Sequence, residues 1–138
     1  MSDATDEFTA VFREFAGTGL RDVWSFDVES ERCLYIRRDV AERLEGHDPA
    51  RYIDNERYGF ITRHTYDDLT YADYEYTVRG FDEFTTFRTF FDGFGVLASV
   101  DADADIAFDA LYETLRNTEY AHGDDTGLID DYTAAADD

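Results

Sequence analysis

Apolar positions along the chain follow a helical period near both ends and a strand period between them. Phe8, Val11, Phe12 and Phe15 recur at i, i+3, i+4 and i+7. They predict a first helix with one apolar stripe, capped at Thr5 or Asp6 and stopped at Gly17. A helix of three turns is marginal alone in water, so its stripe must pack on something. The segment RDVWSFDVE alternates, with Trp24, Phe26 and Val28 on one face and Val23, Ser25 and Asp27 on the other. After a turn at ESE, RCLYIRR sets Leu34 and Ile36 opposite Cys33 and Tyr35, which completes an antiparallel hairpin.

A helical region follows. Asp39 is placed to cap a short helix ending at Gly46, and Asp48-Pro49 opens a second in cap-then-N1 order. This second helix runs through ARYIDNERYGFI, with Gly59 weakening its end, and TRHTYDDLTYA carries no clean period. Three strands come next. DYEYTVRG alternates, with Tyr74, Tyr76 and Val78 opposite Glu75, Thr77 and Arg79. EFTTFRTFF is strand-like in composition, and Asp92-Gly93 is a two-residue hairpin signal leading into FGVLASVD. Phe108, Leu111, Tyr112 and Leu115 mark a last helix. Residues 1–119 therefore read as one domain, and the acidic, aperiodic residues 120–138 as a flexible tail.

The element order α-ββ-α-βββ-α defines an α+β fold: a five-stranded antiparallel sheet with helices packed on it. Through EFTAVFREFAG, LRDVWSFDVESERCLYIRR, VRGFDEFTTFRTFFDGFGVLASVD and FDALYETL, this order resembles the Roadblock/LC7 domain. Profilin-type and longin domains are similar more loosely, as are small acidic haloarchaeal domains of unassigned function. The resemblance is one of topology and rests on no signature motif. It implies a non-catalytic regulatory domain that forms homodimers and contacts signalling proteins such as small GTPases. It supplies no catalytic residue.

Charge changes the picture. The chain of 138 residues carries 33 acidic residues against 12 basic ones, all arginine, for a net charge of −21. Such a balance with few aromatics implies disorder, but 17% of this chain is Phe, Tyr or Trp, enough for a core. Abundant Asp with no Lys resembles the proteome of salt-in halophiles, the haloarchaea above all. Nucleic acid is disfavoured as a partner, since phosphate affinity comes from cationic surface. The single cysteine, Cys33, allows no internal disulfide. The N-terminal MSDATDEF lacks a signal-peptide pattern, and no apolar run reaches membrane-span length. A soluble, cytoplasmic protein is expected, without membrane contact.

Chemical motifs are sparse. DADAD at 101–105 begins like a calcium loop, but the sixth position is Ile106 and the twelfth Tyr112, where Gly and Glu are needed. Asp103 or Asp105 as the cap of the last helix is the better reading. His47, His64 and His122 have no zinc-ligand spacing, and only His64 with Asp67 and Asp68 offers an acid–base or metal grouping. No nucleophile elbow or phosphate loop occurs, and GTG at 17–19 and GFG at 93–95 read as turns. No catalytic residue, metal or cofactor is assigned. The phenylalanines from Phe81 to Phe91 fit a strand buried on both faces; an exposed patch is the alternative.

The surplus of acid also stops in one place. Residues 31–63 hold seven arginines and seven acids, so the remaining residues carry the whole −21. Arg and Tyr are interface residues, and self-repulsion is weakest here. The expected partner interface is Arg51, Ile53, Arg57 and Phe60. A small-molecule sensor with a cavity between sheet and helices, and an enzyme built on His64, are the alternatives.

Overall fold

The computed structural model describes residues 4–121. Helix α1 spans Ala4–Ala16, and Gly17, at φ +57°, ends it in a 3-10 turn over Gly17–Gly19. Strands β1 (Leu20–Phe26) and β2 (Glu31–Ile36) follow, then α2 (Arg38–Arg43) and α3 (Pro49–Tyr66). Strands β3 (Tyr76–Gly80), β4 (Phe84–Phe91) and β5 (Phe94–Asp101) lead to α4 (Phe108–Ala121). The strands form one antiparallel sheet in the order β2-β1-β5-β4-β3. The fold is thus the α+β arrangement expected from the sequence, with its middle helical region divided in two. Residues 122–138, most of the expected tail, lie outside the described residues.

Two apolar layers sandwich the sheet. On one face the stripes of α1 (Phe8, Val11, Phe12) and α4 (Leu111, Leu115) meet Val23, Phe87, Phe91, Phe94 and Val96. The Phe8 and Phe91 rings stack here at 5.0 Å. Each such ring buried contributes about 1.5–3 kcal/mol. On the other face Ile53 and Phe60 of α3 press on Phe26 and Phe90, flanked by Trp24, Tyr74 and Leu97. β4 is therefore covered on both sides, with Phe87 and Phe91 to one layer and Phe90 to the other. Phe81, beyond the strand, is half exposed and stacks on Phe84.

Turn chemistry behaves as the sequence implies. In the β1–β2 turn Asp27 accepts hydrogen bonds from the Glu29 and Ser30 amides at 2.8 and 2.7 Å. Gly93 takes φ +86° between the paired Phe91 and Phe94.

Three local expectations change. Val23 pairs with Tyr35 and Trp24 with Cys33, so Leu34 is an extra residue in β2. The bulge lets Leu34 and Tyr35 both pack toward α1 and α4 instead of on opposite faces. Tyr74 and Tyr76 part company because Tyr74 precedes β3: it packs under α3, whereas Tyr76 joins the opposite layer. GFG at 93–95 is only half a turn, since Gly95 sits inside β5. A side chain there would place Cβ 2.5 Å from the Phe26 ring.

Candidate functional site

Helix α3 carries the chemistry of this fold. Its start is fixed by Asp48, whose carboxylate accepts from the Ala50 amide at 3.1 Å, with Pro49 in the first turn. Its sheet-facing side is apolar except at Glu56, which is only 7% exposed. A buried carboxylate needs compensation. Arg88 of β4, also 7% exposed, donates to Glu56 Oε1 at 2.8 Å, and Arg79 of β3 donates to Oε2 at 2.6 Å. The second Arg88 terminal nitrogen reaches Thr77 Oγ1 at 3.0 Å, which shares a 2.6 Å hydrogen bond with the Tyr74 hydroxyl. Arg88 also lies 5.1 Å from the Phe90 ring centre. Its Nε is buried without a hydrogen-bond partner.

Gly59 explains how this network fits beneath a helix. A Cβ there would fall 2.5 Å from the Phe90 ring and 2.9 Å from the Arg88 guanidinium carbon. The missing side chain lets both sheet residues rise to the α3 backbone. Gly59 therefore does not end α3, which continues to Tyr66.

Beside the network a half-open cleft of about 290 Å³ lies between the C-terminal half of α3, the connection to β3 and the β3–β4 pair. Gly59, Arg63, Tyr66, Leu69, Tyr74 and Arg88 are among its walls. Tyr66 and Tyr74 stack at 6.0 Å with nearly parallel planes. Arg63 donates to the Phe91 carbonyl at 3.1 Å and lies over the Phe60 and Phe90 rings. It opens at the flank of α3.

The four expected interface residues separate. Ile53 and Phe60 are core, at 2% and 9% exposed, because they point at the sheet. Arg57 is internal bracing. It donates to the Asp27 carbonyl and to Glu31, each at 2.7 Å, and pairs with Asp54. Burial works against the Arg57 charge, but these carboxylates outweigh it and raise its pKa. Only Arg51 is exposed on the outer surface.

His64 and Asp67 do approach, at 3.5 Å, but both are largely exposed at the end of α3, Asp68 is exposed beside them, and none lines the cleft. Among the described residues no group of three or more His, Cys, Asp or Glu could hold a metal ion. His122 lies outside the described residues.

DADAD is a structural tie instead of a cap. Asp101 ends β5 and takes both terminal nitrogens of Arg37 at 2.8 and 2.9 Å, which hold its carboxyl below the usual range. Arg37 likewise lowers Asp39 to about 2, so Asp39 serves the pair instead of capping α2. Asp103 and Asp105 fall short of α4, which begins at Phe108.

One further carboxylate is perturbed. Burial pushes Asp22 up, against hydrogen bonds that include one from Ser99 at 2.7 Å. Burial and the Asp22 charge also push the Cys33 thiol up, which makes it a poor nucleophile.

The sequence carries a signal for the buried network in the placement of two charges rather than in any motif. Glu56 sits three residues after Ile53 and four before Phe60, within the apolar stripe, and Arg88 interrupts the phenylalanine-rich β4. A charge inside each of two buried elements implies that the two meet.

No helix among the described residues is long and apolar enough to cross a membrane. No curated protein matches the chain. A family model for a domain of unknown function, DUF7522, matches residues 6–119, the span that holds the whole sheet, the buried network and the cleft, and the chain belongs to that family.

Proposed function

We propose that this domain is non-catalytic and acts by protein contact, pairing with a second copy of itself through the outward face of α3. The observation that carries the reading is the pair Tyr58 and Ile61, each 68% exposed on that face. Arg51, Asp54, Tyr58, Ile61 and Thr65 recur at i, i+3, i+7, i+10 and i+14, forming one exposed strip. Its two charges cancel, while the chain as a whole carries −21. A two-fold interface brings identical patches together, so a neutral patch with apolar anchors is where two such chains repel least. The acidic remainder of the surface is read as adaptation to concentrated salt, which also permits the approach of two like-charged bodies.

Size exclusion with light scattering in about 2 M KCl, where screening is nearly complete, tests the pairing. The expected result is twice the chain mass for the wild type and the single-chain mass for Tyr58→Asp/Ile61→Asp, with unchanged circular dichroism. A wild-type monomer, or a double variant that still pairs, overturns the reading. Arg57→Glu is a poor probe, because it breaks the brace between α3 and the β1–β2 turn.

A further inference from the structure

The cleft on the flank of α3 has the chemistry of a ligand site, and we infer that it binds a small organic carboxylate with an apolar body. The inference stands apart from pairing, since the cleft faces β3 and the proposed dimer strip faces outward.

The cation is Arg63. Among the described residues it forms no ion pair with a carboxylate, in a chain with 33 acids. One N–H is committed to the Phe91 carbonyl, and the rings of Phe60 and Phe90 lie under the guanidinium at 5.9 and 5.4 Å. That support holds the group in place, so little freedom is lost when it takes a carboxylate. Arg88, by contrast, is held in an ion pair with Glu56 and serves as a fixed floor.

The walls select for an apolar body. Tyr66, Tyr74, Leu69 and Ala72 line the cleft, and the stacked tyrosines present ring surface to it. The volume, about 290 Å³, falls just below the ~300–1,000 Å³ typical of small-molecule sites, which favours a ligand of the size of phenylacetate. Asp73 is the one acid of the lining; it is exposed, so solvent screens its repulsion of an anion more than the half-buried Arg63 is screened.

Titration of the full chain with phenylacetate, followed by amide chemical shifts at fixed KCl, tests the site. Saturable shifts confined to residues 59–77 and 88–91 are expected. Binding should weaken about tenfold or more for Arg63→Gln and for the uncharged analogue 2-phenylethanol, and tighten for Asp73→Asn. An unchanged melting temperature for Arg63→Gln separates lost binding from lost fold. Shifts that never saturate, equal binding of 2-phenylethanol, or wild-type affinity in folded Arg63→Gln would each overturn the inference.

Discussion

Glu56 divides one carboxylate between Arg88 and Arg79, and the two arginines come from adjacent strands. The helix is thereby fixed in register on β3 and β4 by charge as well as by the flanking Ile53 and Phe60. Removing one partner of a buried pair leaves the other uncompensated, which costs about 3–5 kcal/mol. Arg79 keeps 41% of its side chain in solvent, so it can turn to water, and the penalty rests on Arg88. Glu56→Gln is accordingly expected to lose about 3 kcal/mol in urea unfolding at fixed KCl. Glu56→Met with Arg88→Leu is expected to recover most of that loss, since an apolar pair of similar volume needs no compensation. A loss below 1 kcal/mol for Glu56→Gln would show that the carboxylate is not held by burial. Residue types alone hid this site because acids are everywhere in the chain; only their position within an apolar stripe marks the one that is buried.

Between elements, the α3 layer is built around two missing side chains. Gly95 of β5 pairs laterally with Phe26 on one side and Phe90 on the other. Their rings lie across it edge-to-face at 6.0 Å. Gly59 then lets the α3 backbone settle on Phe90 and Arg88. Adding a methyl at either place overpacks the layer, at about 1–3 kcal/mol. In α3 the better helix propensity of alanine returns roughly 1 kcal/mol of this. Gly95→Ala has no such return, so it is expected to destabilise by more than Gly59→Ala, a ranking that urea midpoints measure directly. Equal stability of wild type and Gly95→Ala would mean that the Phe26 ring moves freely aside. The order and periods of the elements were legible because each stripe must face a layer. The β2 bulge and the role of Gly95 were not, because both depend on what a neighbouring strand places opposite. A glycine that makes room for a ring reads in sequence like a glycine that makes a turn.

For the molecule as a whole, stability is a contest between a well-packed double layer and the repulsion of 33 carboxylates. The ion pairs seen here relieve that repulsion only locally. Arg37 ties Asp101 and Asp39 where β2 leads into α2, and Arg57 ties Glu31 and Asp54 at the opposite, β1–β2 turn end of the hairpin. The acids of α1 and α4 outnumber the arginines near them in sequence, so solvent ions are left to screen much of their repulsion. The Debye length falls from about 10 Å at 0.1 M salt to about 3 Å at 1 M, a change that spans the spacing of surface charges. The melting temperature is therefore expected to rise steeply between 0.1 and about 1 M KCl. Screening alone would level off there, since the remaining length is already shorter than the gap between neighbouring charges. A further rise toward multimolar salt would indicate ions bound to the acidic surface beyond simple screening, in keeping with the salt-adapted reading of the composition. A melting temperature that is flat or falls across the first interval would show that the double layer carries the fold without help, and would remove salt adaptation as the reason for the missing lysines.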